Sequence, residues 1–142
     1  DLDKIFSLRT VEDTLHIHGY VQEHEPRSAV VIGGGFIGVE AAENLRDLGL
    51  EVTLLQRPGQ LMNNLDYDMA TLLHAEVREH GIDLRLRADV TGFEEADGRV
   101  VTHVAGDDSI MADMVLLAIG VAPRAIWQRK LVSNWASRAP LW

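Results

Sequence analysis

Polar and apolar positions follow two spacings over residues 29–86. Mostly apolar runs at 29–32, 51–56 and 82–86 are typical of buried strands in a parallel sheet. Between them, apolar residues recur at helical spacing over 36–48, which ends before Gly49, and again from Asp66 to Gly81. Asp66 is a favoured helix N-cap. This repeated order of strand and helix predicts a parallel sheet flanked by helices.

The first 25 residues carry weaker signals. Residues 1–10 contain a short extended stretch that leads into the domain, and 11–25 place Val11, Leu15 and Val21 at helical spacing. The sequence therefore predicts a helix over 11–25, with Ser7 or Thr10 near its start.

The pattern changes after residue 89. Two strands, at 90–95 and 99–104, flank a hairpin turn signal at 96–98, and a second turn at 105–108 precedes a third strand at 109–113. This arrangement predicts an antiparallel meander inserted in the parallel fold. A fully apolar run at 114–119 then predicts a strand that returns to the central sheet.

The junction of the first buried strand and the helix after it carries the pattern Gly33-x-Gly35-x-x-Gly38. In a strand–turn–helix context, Gly33 permits the sharp turn, Gly35 lets a pyrophosphate approach the backbone, and Gly38 lets the helix lie close to the sheet. The N–H groups of the first helical turn then face the phosphates. A plainer interpretation is a glycine-rich turn of another α/β protein, but the strand and helix signals favour dinucleotide binding. The predicted fold class is α/β, a Rossmann-like parallel sheet flanked by helices with an inserted three-stranded antiparallel meander.

Composition narrows the functional classes. The 142 residues suffice for one domain with a core, and the net charge of −9 argues against binding nucleic acid or anionic membrane surfaces. No run of about 18 apolar residues is present, and the sequence shows no signal-peptide pattern. We therefore expect a cytoplasmic protein. The absence of cysteine excludes a disulfide framework, a thiolate metal site and a thiol nucleophile within this sequence.

Three histidines in the first predicted helix raise the question of a metal site. His16, His18 and His24 are not spaced to set two rings on one helical face, as i and i+2 neighbours diverge. A solvated helix is the better interpretation, and we expect no metal site.

Three blocks of sequence together resemble a known family. They are FSLRT at 6–10, GGGFIGVE at 33–40 and AIGVAP at 118–123, with the β–α–β unit and meander between them. In this order they resemble the NAD(P)H-binding domain of flavin-dependent pyridine nucleotide-disulfide oxidoreductases. The similarity is greatest to the branch that contains coenzyme A-disulfide reductases, NADH oxidases, NADH peroxidases and persulfide reductases.

The resemblance implies roles for particular residues. Phe36 occupies the position of an aromatic gate that moves aside so that nicotinamide can stack on the flavin, and Ile37 follows it in the same cofactor-binding turn. Glu40 occupies the position of a glutamate that contacts the nicotinamide carboxamide. Gly120 and Val121 would approach the cofactor from the opposite side. The alternatives are that Phe36 packs in the core and that Glu40 is an exposed first-turn carboxylate.

The end of the second buried strand departs from the NADH pattern. An acidic residue there binds the adenosine ribose 2′-hydroxyl and repels a 2′-phosphate, but this chain has Gln56 followed by Arg57. Because the repulsion is absent and a guanidinium is offered, we expect NADPH to be accepted, alongside NADH. The alternative is that Arg57 is a solvated loop charge.

The family's other parts are not found in this sequence. They are an N-terminal flavin-binding glycine motif, a redox-active cysteine, a second flavin segment and a dimerisation domain. The resemblance therefore implies that residues 1–125 are an NAD(P)H-binding domain excised from a larger flavoenzyme. FAD would belong to the parent protein only, the domain's partners would be the missing FAD and dimerisation domains, and the chain alone would hold no catalytic residue and be inactive.

The last residues differ in character from the rest. All three tryptophans lie at 127–142, and no acidic residue follows Asp113. We predict that 126–142 is an atypical tail read in a shifted frame, since permitted codons in another frame can give LAKKAGLELGIKGAIV, which resembles the family's next segment. The coding DNA decides this, and a genuine amphipathic tail is the alternative.

Two other functions remain open from sequence. One is a stand-alone dinucleotide-sensing module without catalysis, which an absence of flavin and cysteine motifs upstream in the same gene would favour. The other is a methyltransferase with a Rossmann-like glycine loop, against which the meander and the apolar strand at 114–119 both argue.

Overall fold

A computed structural model describes residues 3–106 and 108–120. Within this part of the chain, eight strands and three helices follow one another. They are β1 (Ile5–Ser7), α1 (Val11–His24), β2 (Ser28–Ile32), α2 (Phe36–Asp47), β3 (Glu51–Gln56), α3 (Tyr67–Glu79), β4 (Asp83–Leu86), β5 (Val90–Ala96), β6 (Arg99–Val104), β7 (Asp108–Ala112) and β8 (Met114–Leu117).

A five-stranded parallel sheet has the order β1-β8-β2-β3-β4. The predicted return of the apolar run to the central sheet is confirmed, since β8 lies between β1 and β2 and pairs with both. The stretch expected only to lead into the domain contributes the edge strand β1, which pairs with β8 from Ile5↔Val115 to Ser7↔Leu117. The sequence pattern did not reveal β1, because three residues show too little alternation of polar and apolar positions.

Strands β5, β6 and β7 form the predicted antiparallel meander. It lies against one face of the parallel sheet, and the helices pack against the other. The alternation along β2 shows this: Ala29 and Val31 join the cluster that includes residues of all three helices, whereas Val30 and Ile32 join residues of the meander. All four side chains are buried, as expected for a central strand covered on both faces. The predicted fold class is confirmed.

The apolar pattern of the first helix matches its buried face only in part. In α1, Ile17 and Val21 are buried, whereas Val11 and Leu15 are 72% and 66% exposed. The helix starts at Val11, and its N-cap is Thr10, whose hydroxyl accepts from the Asp13 N–H in a reciprocal capping box. The cap and the start were therefore predictable, although the orientation of the helix was not.

Asp113 joins the two sheets at the end of the molecule where β2 begins. Its Oδ2 accepts from the backbone N–H groups of Arg27 (2.8 Å) and Ser28 (3.0 Å), and its Oδ1 accepts from Arg99 Nε (3.0 Å). Burial alone would raise the pKa of Asp113, but these hydrogen bonds and the Arg99 charge hold that pKa below its usual value. The carboxylate therefore fastens the meander to the start of the central strand.

Some expectations fall outside the described residues, namely those for Val121 and for the tail at 126–142. Within 3–106 and 108–120, no helix is long and apolar enough to cross a membrane.

Candidate functional site

The glycine motif forms a tight turn at the carboxyl end of the central strand β2. Gly33 has a φ of +112°, a left-handed conformation that glycine adopts readily. A Cβ placed on Gly33 would lie 2.5 Å from the backbone oxygen of Ala118, just beyond β8. Both the conformation and the close approach therefore require glycine at this position.

Gly38 lets α2 leave the strand at very short range. A Cβ on Gly38 would lie 1.8 Å from the Gly33 backbone oxygen, far inside van der Waals contact. This is the close helix–strand packing expected of the third glycine of the motif.

Gly35 differs from the other two, because a Cβ there would meet nothing within 4 Å and the residue is exposed. It is the N-cap of α2, and no side chain caps that helix end. The first hydrogen bond of the helix runs from the Val39 N–H to the Gly35 oxygen at 3.0 Å, so the preceding amides face away from the helix body. The geometry leaves an open, amide-lined surface with the positive end of the helix dipole behind it.

The neighbouring side chains are apolar and exposed. Phe36 is 72% exposed and Ile37 is 49% exposed, so neither packs in the core of the described chain. Gly120, beyond β8, has a φ of +84° and open space around its Cβ position. Glu40 lies one turn along α2 and is exposed. Of the predicted site residues, the structure thus brings Gly33, Gly35 and Gly38 into one turn at the end of β2, with Phe36, Ile37 and Glu40 in the helix that follows.

Gln56 ends β3 next to this loop, but its side chain turns inward and is only 8% exposed. Its Oε1 accepts from the Gly34 N–H at 2.8 Å, and its Nε2 donates to the Gln60 backbone oxygen at 3.1 Å. Both ends of the amide are thus used within the protein. In this conformation Gln56 shapes the glycine loop, and a direct contact with a ribose stays a prediction.

Arg57 follows Gln56 and is exposed. Within the described ranges its guanidinium forms no ion pair or hydrogen bond, in contrast to Arg85, which is paired with Asp83 and Asp108. The cation at the end of β3 is therefore available to an anion from solution.

Three residues around this loop were not selected from sequence: Gly34, Leu61 and His74. Gly34 has no room for a Cβ, which would lie 2.3 Å from Leu61 Cδ2. His74 is buried in α3, and its Nε2 accepts from the Leu61 N–H at 3.0 Å. The run of three glycines at 33–35 was a signal for Gly34. The spacing of Ala70, His74 and Val77 on one helix face was a signal for His74.

Two of the three histidines of α1 contact aromatic rings. His16 contacts the Phe6 ring edge-on at 5.4 Å between centroids, and His24 stacks on Tyr20 at 4.3 Å. Across residues 3–106 and 108–120, no group of three or more His, Cys, Asp or Glu residues could hold a metal ion.

Comparison with known proteins places these features in a family. The family model described as pyridine nucleotide-disulphide oxidoreductase matches residues 2–136. Two curated relatives are a coenzyme A disulfide reductase of Staphylococcus haemolyticus, 31% identical over 88% of this chain, and an NADH oxidase of Methanocaldococcus jannaschii, 33% identical over 87%. The chain spans 28% of the length of each of these relatives.

A solved structure shows the same architecture. The crystal structure of reduced Bacillus anthracis CoADR-RHD superposes with a TM-score of 0.80 and 42% sequence identity. The match covers 89% of this chain and 22% of that protein.

Proposed function

Because the chain belongs to the pyridine nucleotide-disulphide oxidoreductase family, we propose that it binds NAD(P)H and presents the nicotinamide to a flavin held outside this sequence. The observation that carries this proposal is the open surface at Gly35. Gly33 and Gly38 have no room for a side chain, whereas Gly35 has space above it at an uncapped helix end. This is the arrangement that a pyrophosphate needs in order to approach backbone amides.

Different residues of the site contact different parts of the coenzyme. The first-turn amides of α2 hold the pyrophosphate, and the helix dipole favours its negative charge. Phe36 and Ile37 offer exposed apolar surface beside the turn, where Phe36 shields the nicotinamide position until the coenzyme arrives. Glu40, exposed one turn further along α2, accepts from the carboxamide of the nicotinamide. Gly120 lies against the coenzyme from the side of β8, and Val121, which falls outside the described residues, is a further proposed contact.

The nicotinamide of the bound coenzyme supplies the hydride, and the flavin that accepts it belongs to the parent protein. The parent is proposed to be an FAD-dependent oxidoreductase acting on disulfides, persulfides, peroxide or oxygen. Two curated relatives, named as a coenzyme A disulfide reductase and an NADH oxidase, support an oxidoreductase of this kind. The chain alone, without flavin or cysteine, is proposed to bind coenzyme but not to turn over.

The proposal includes acceptance of NADPH. Arg57 is exposed and unpaired within the described residues, and no carboxylate ends β3. A guanidinium can meet a 2′-phosphate with two parallel N–H···O bonds.

Calorimetric titration of the 142-residue chain with NADH and NADPH tests coenzyme binding. We expect Gly35→Ala to weaken both coenzymes by at least about tenfold, because its Cβ enters the space proposed for the phosphates. The φ of −78° at Gly35 is accessible to alanine, so the variant should stay folded. Absence of heat with either coenzyme in the wild type, or equal affinities in Gly35→Ala, would contradict the proposal.

The same titration tests Arg57. Arg57→Ala should lower NADPH affinity about tenfold, or about 1.4 kcal/mol, and leave NADH affinity nearly unchanged. Arg57→Lys is the matched control: it keeps the charge but not the paired donors, so its NADPH affinity should lie in between. If Arg57→Ala binds NADPH as the wild type does, Arg57 is a solvated loop charge.

A further inference from the structure

The end of β3 and the loop between β3 and α3 are fastened to the glycine loop through the two backbone groups of Gly34. The Gly34 N–H donates to Gln56 Oε1, and the Gly34 oxygen accepts from the Met62 N–H, each at 2.8 Å. The Leu61 side chain, which is fully buried, fills the space that a Gly34 side chain would need. The loop thus forms one wall beside the candidate phosphate surface.

This wall holds a strained backbone. Met62 has a φ of +46°, a left-handed conformation that costs a non-glycine residue about 1–2 kcal/mol. Such a conformation persists where the surrounding contacts over-determine it, and it is common at ligand-binding sites. The loop therefore needs an attachment strong enough to keep Met62 in place.

His74 supplies this attachment from α3. Its Nε2 accepts from the Leu61 N–H at 3.0 Å, and the side chain is buried. Because an amide can only donate, Nε2 must be unprotonated, and the ring carries its proton on Nδ1. Burial, aided by the charge of Arg78, lowers the pKa of His74, which keeps the ring neutral at pH 7.

We propose that His74 is a positioning residue of the coenzyme site: through Leu61 it holds the strained loop against Gly34 and so sets the distance between Arg57 and the first-turn amides of α2. His74 itself touches no coenzyme. Since the 2′-phosphate and the pyrophosphate of NADPH are attached to the same ribose, their separation has a limited range, and this distance decides NADPH binding more than NADH binding. The inference rests on the proposed function, because it requires that the surface at Gly35 binds the coenzyme.

Two variants of the 142-residue chain separate positioning from general stability. His74→Leu removes the acceptor for the Leu61 N–H, whereas His74→Gln restores an acceptor near the position of Nε2. His80→Leu is the matched control, since His80 is an exposed histidine at the C-cap of the same helix. Within the described residues its side chain makes polar contacts only with Glu76, through the backbone oxygen and the carboxylate.

The readouts are NADH and NADPH affinities by calorimetry and hydrogen exchange of the Leu61 and Met62 amides by NMR. In His74→Leu we expect NADPH affinity to fall about tenfold, NADH affinity about threefold, and both amides to exchange faster. In His74→Gln both affinities should stay within about threefold of the wild type, and His80→Leu should match the wild type.

Other results of these measurements would overturn the inference. Equal loss of both coenzymes in His74→Leu and His74→Gln would assign His74 a packing role only. Unchanged affinities in His74→Leu would refute positioning while leaving coenzyme binding intact, and a wild type that binds neither coenzyme would refute the proposed function as well. If His74→Leu does not fold, His74→Asn replaces it, because that shorter amide does not reach Leu61. A proton found on Nε2 of His74 by ¹⁵N NMR would also refute the inference.

Discussion

Replacing Gly38 by alanine tests whether the glycine turn is fixed by packing. The added Cβ would lie 1.8 Å from the Gly33 backbone oxygen, so α2 must retreat from β2 by about 1.5 Å to restore normal contact. The obstacle is a backbone atom of the turn directly after the buried central strand, and it cannot rotate away as a side chain would.

The magnitude follows from two opposing effects. Overpacking of this kind costs about 1–3 kcal/mol or more, and an immovable neighbour places Gly38→Ala at the upper end. Alanine regains about 1 kcal/mol through its higher helix propensity. We therefore expect a net loss of about 2 kcal/mol, which lowers Tm by roughly 4–8 °C for a chain of this size.

Urea unfolding followed by circular dichroism measures this loss. With a slope of about 2 kcal/mol per molar urea, the midpoint should fall by about 1 M. Gly35→Ala is the matched control, three residues before Gly38. Its Cβ meets open space, so this variant should lose less than about 1 kcal/mol as an altered N-cap. Equal midpoints for Gly38→Ala and Gly35→Ala would refute the packing argument.

Three further changes have expected outcomes. Thr102→Val should raise the free energy of unfolding by about 1 kcal/mol in urea titration, because the buried Thr102 Oγ1 has no hydrogen-bond partner within the described residues; a destabilised variant would show that the hydroxyl is satisfied. Asp113→Asn should lower that free energy by about 2 kcal/mol, because an amide cannot accept from all the donors around Asp113. The loss should shrink as the pH falls below 3.8, the ordinary pKa of this carboxyl in the unfolded chain, and should go on shrinking down to the lowered pKa of the folded wild type. Because folding lowers the pKa of His74, the free energy of unfolding of the wild type should fall as the pH falls from 6.5 towards that lowered pKa. Between pH 7 and pH 5, His74→Gln should lack this pH dependence, and an equal dependence in both proteins would show that other groups cause it.

Much of the fold was predictable because its signals are local. The glycine turn, the buried strands and the hairpin turn at 96–98 each depend on neighbours in sequence, and the structure places them as expected. The Gly33 and Gly38 constraints were also predictable, since each follows from the strand–turn–helix context.

The rest depends on contacts between distant residues. The Met69 and Leu72 side chains have the helical spacing of a core face, yet they are 57% and 66% exposed, while His74 is buried because Leu61 offers it a hydrogen bond. Gln56 likewise turns inward because Gly34 and Gln60 satisfy both ends of its amide. Such partners lie in a different part of the sequence. Helical spacing can indicate that His74 faces inward, but it cannot identify Leu61 as the hydrogen-bond partner.

The position of β8 has a consequence for synthesis of the protein. Strand β1 leaves the ribosome well before its strand partner within the described residues, β8, which is translated about a hundred residues later. Until then β2 has a free edge on the side where β8 will insert, and the nascent chain exposes an unpaired, apolar strand edge that is prone to aggregation. The sheet is therefore completed only after β8 has been translated. During that interval, ribosome-associated chaperones can bind the exposed edge of β2.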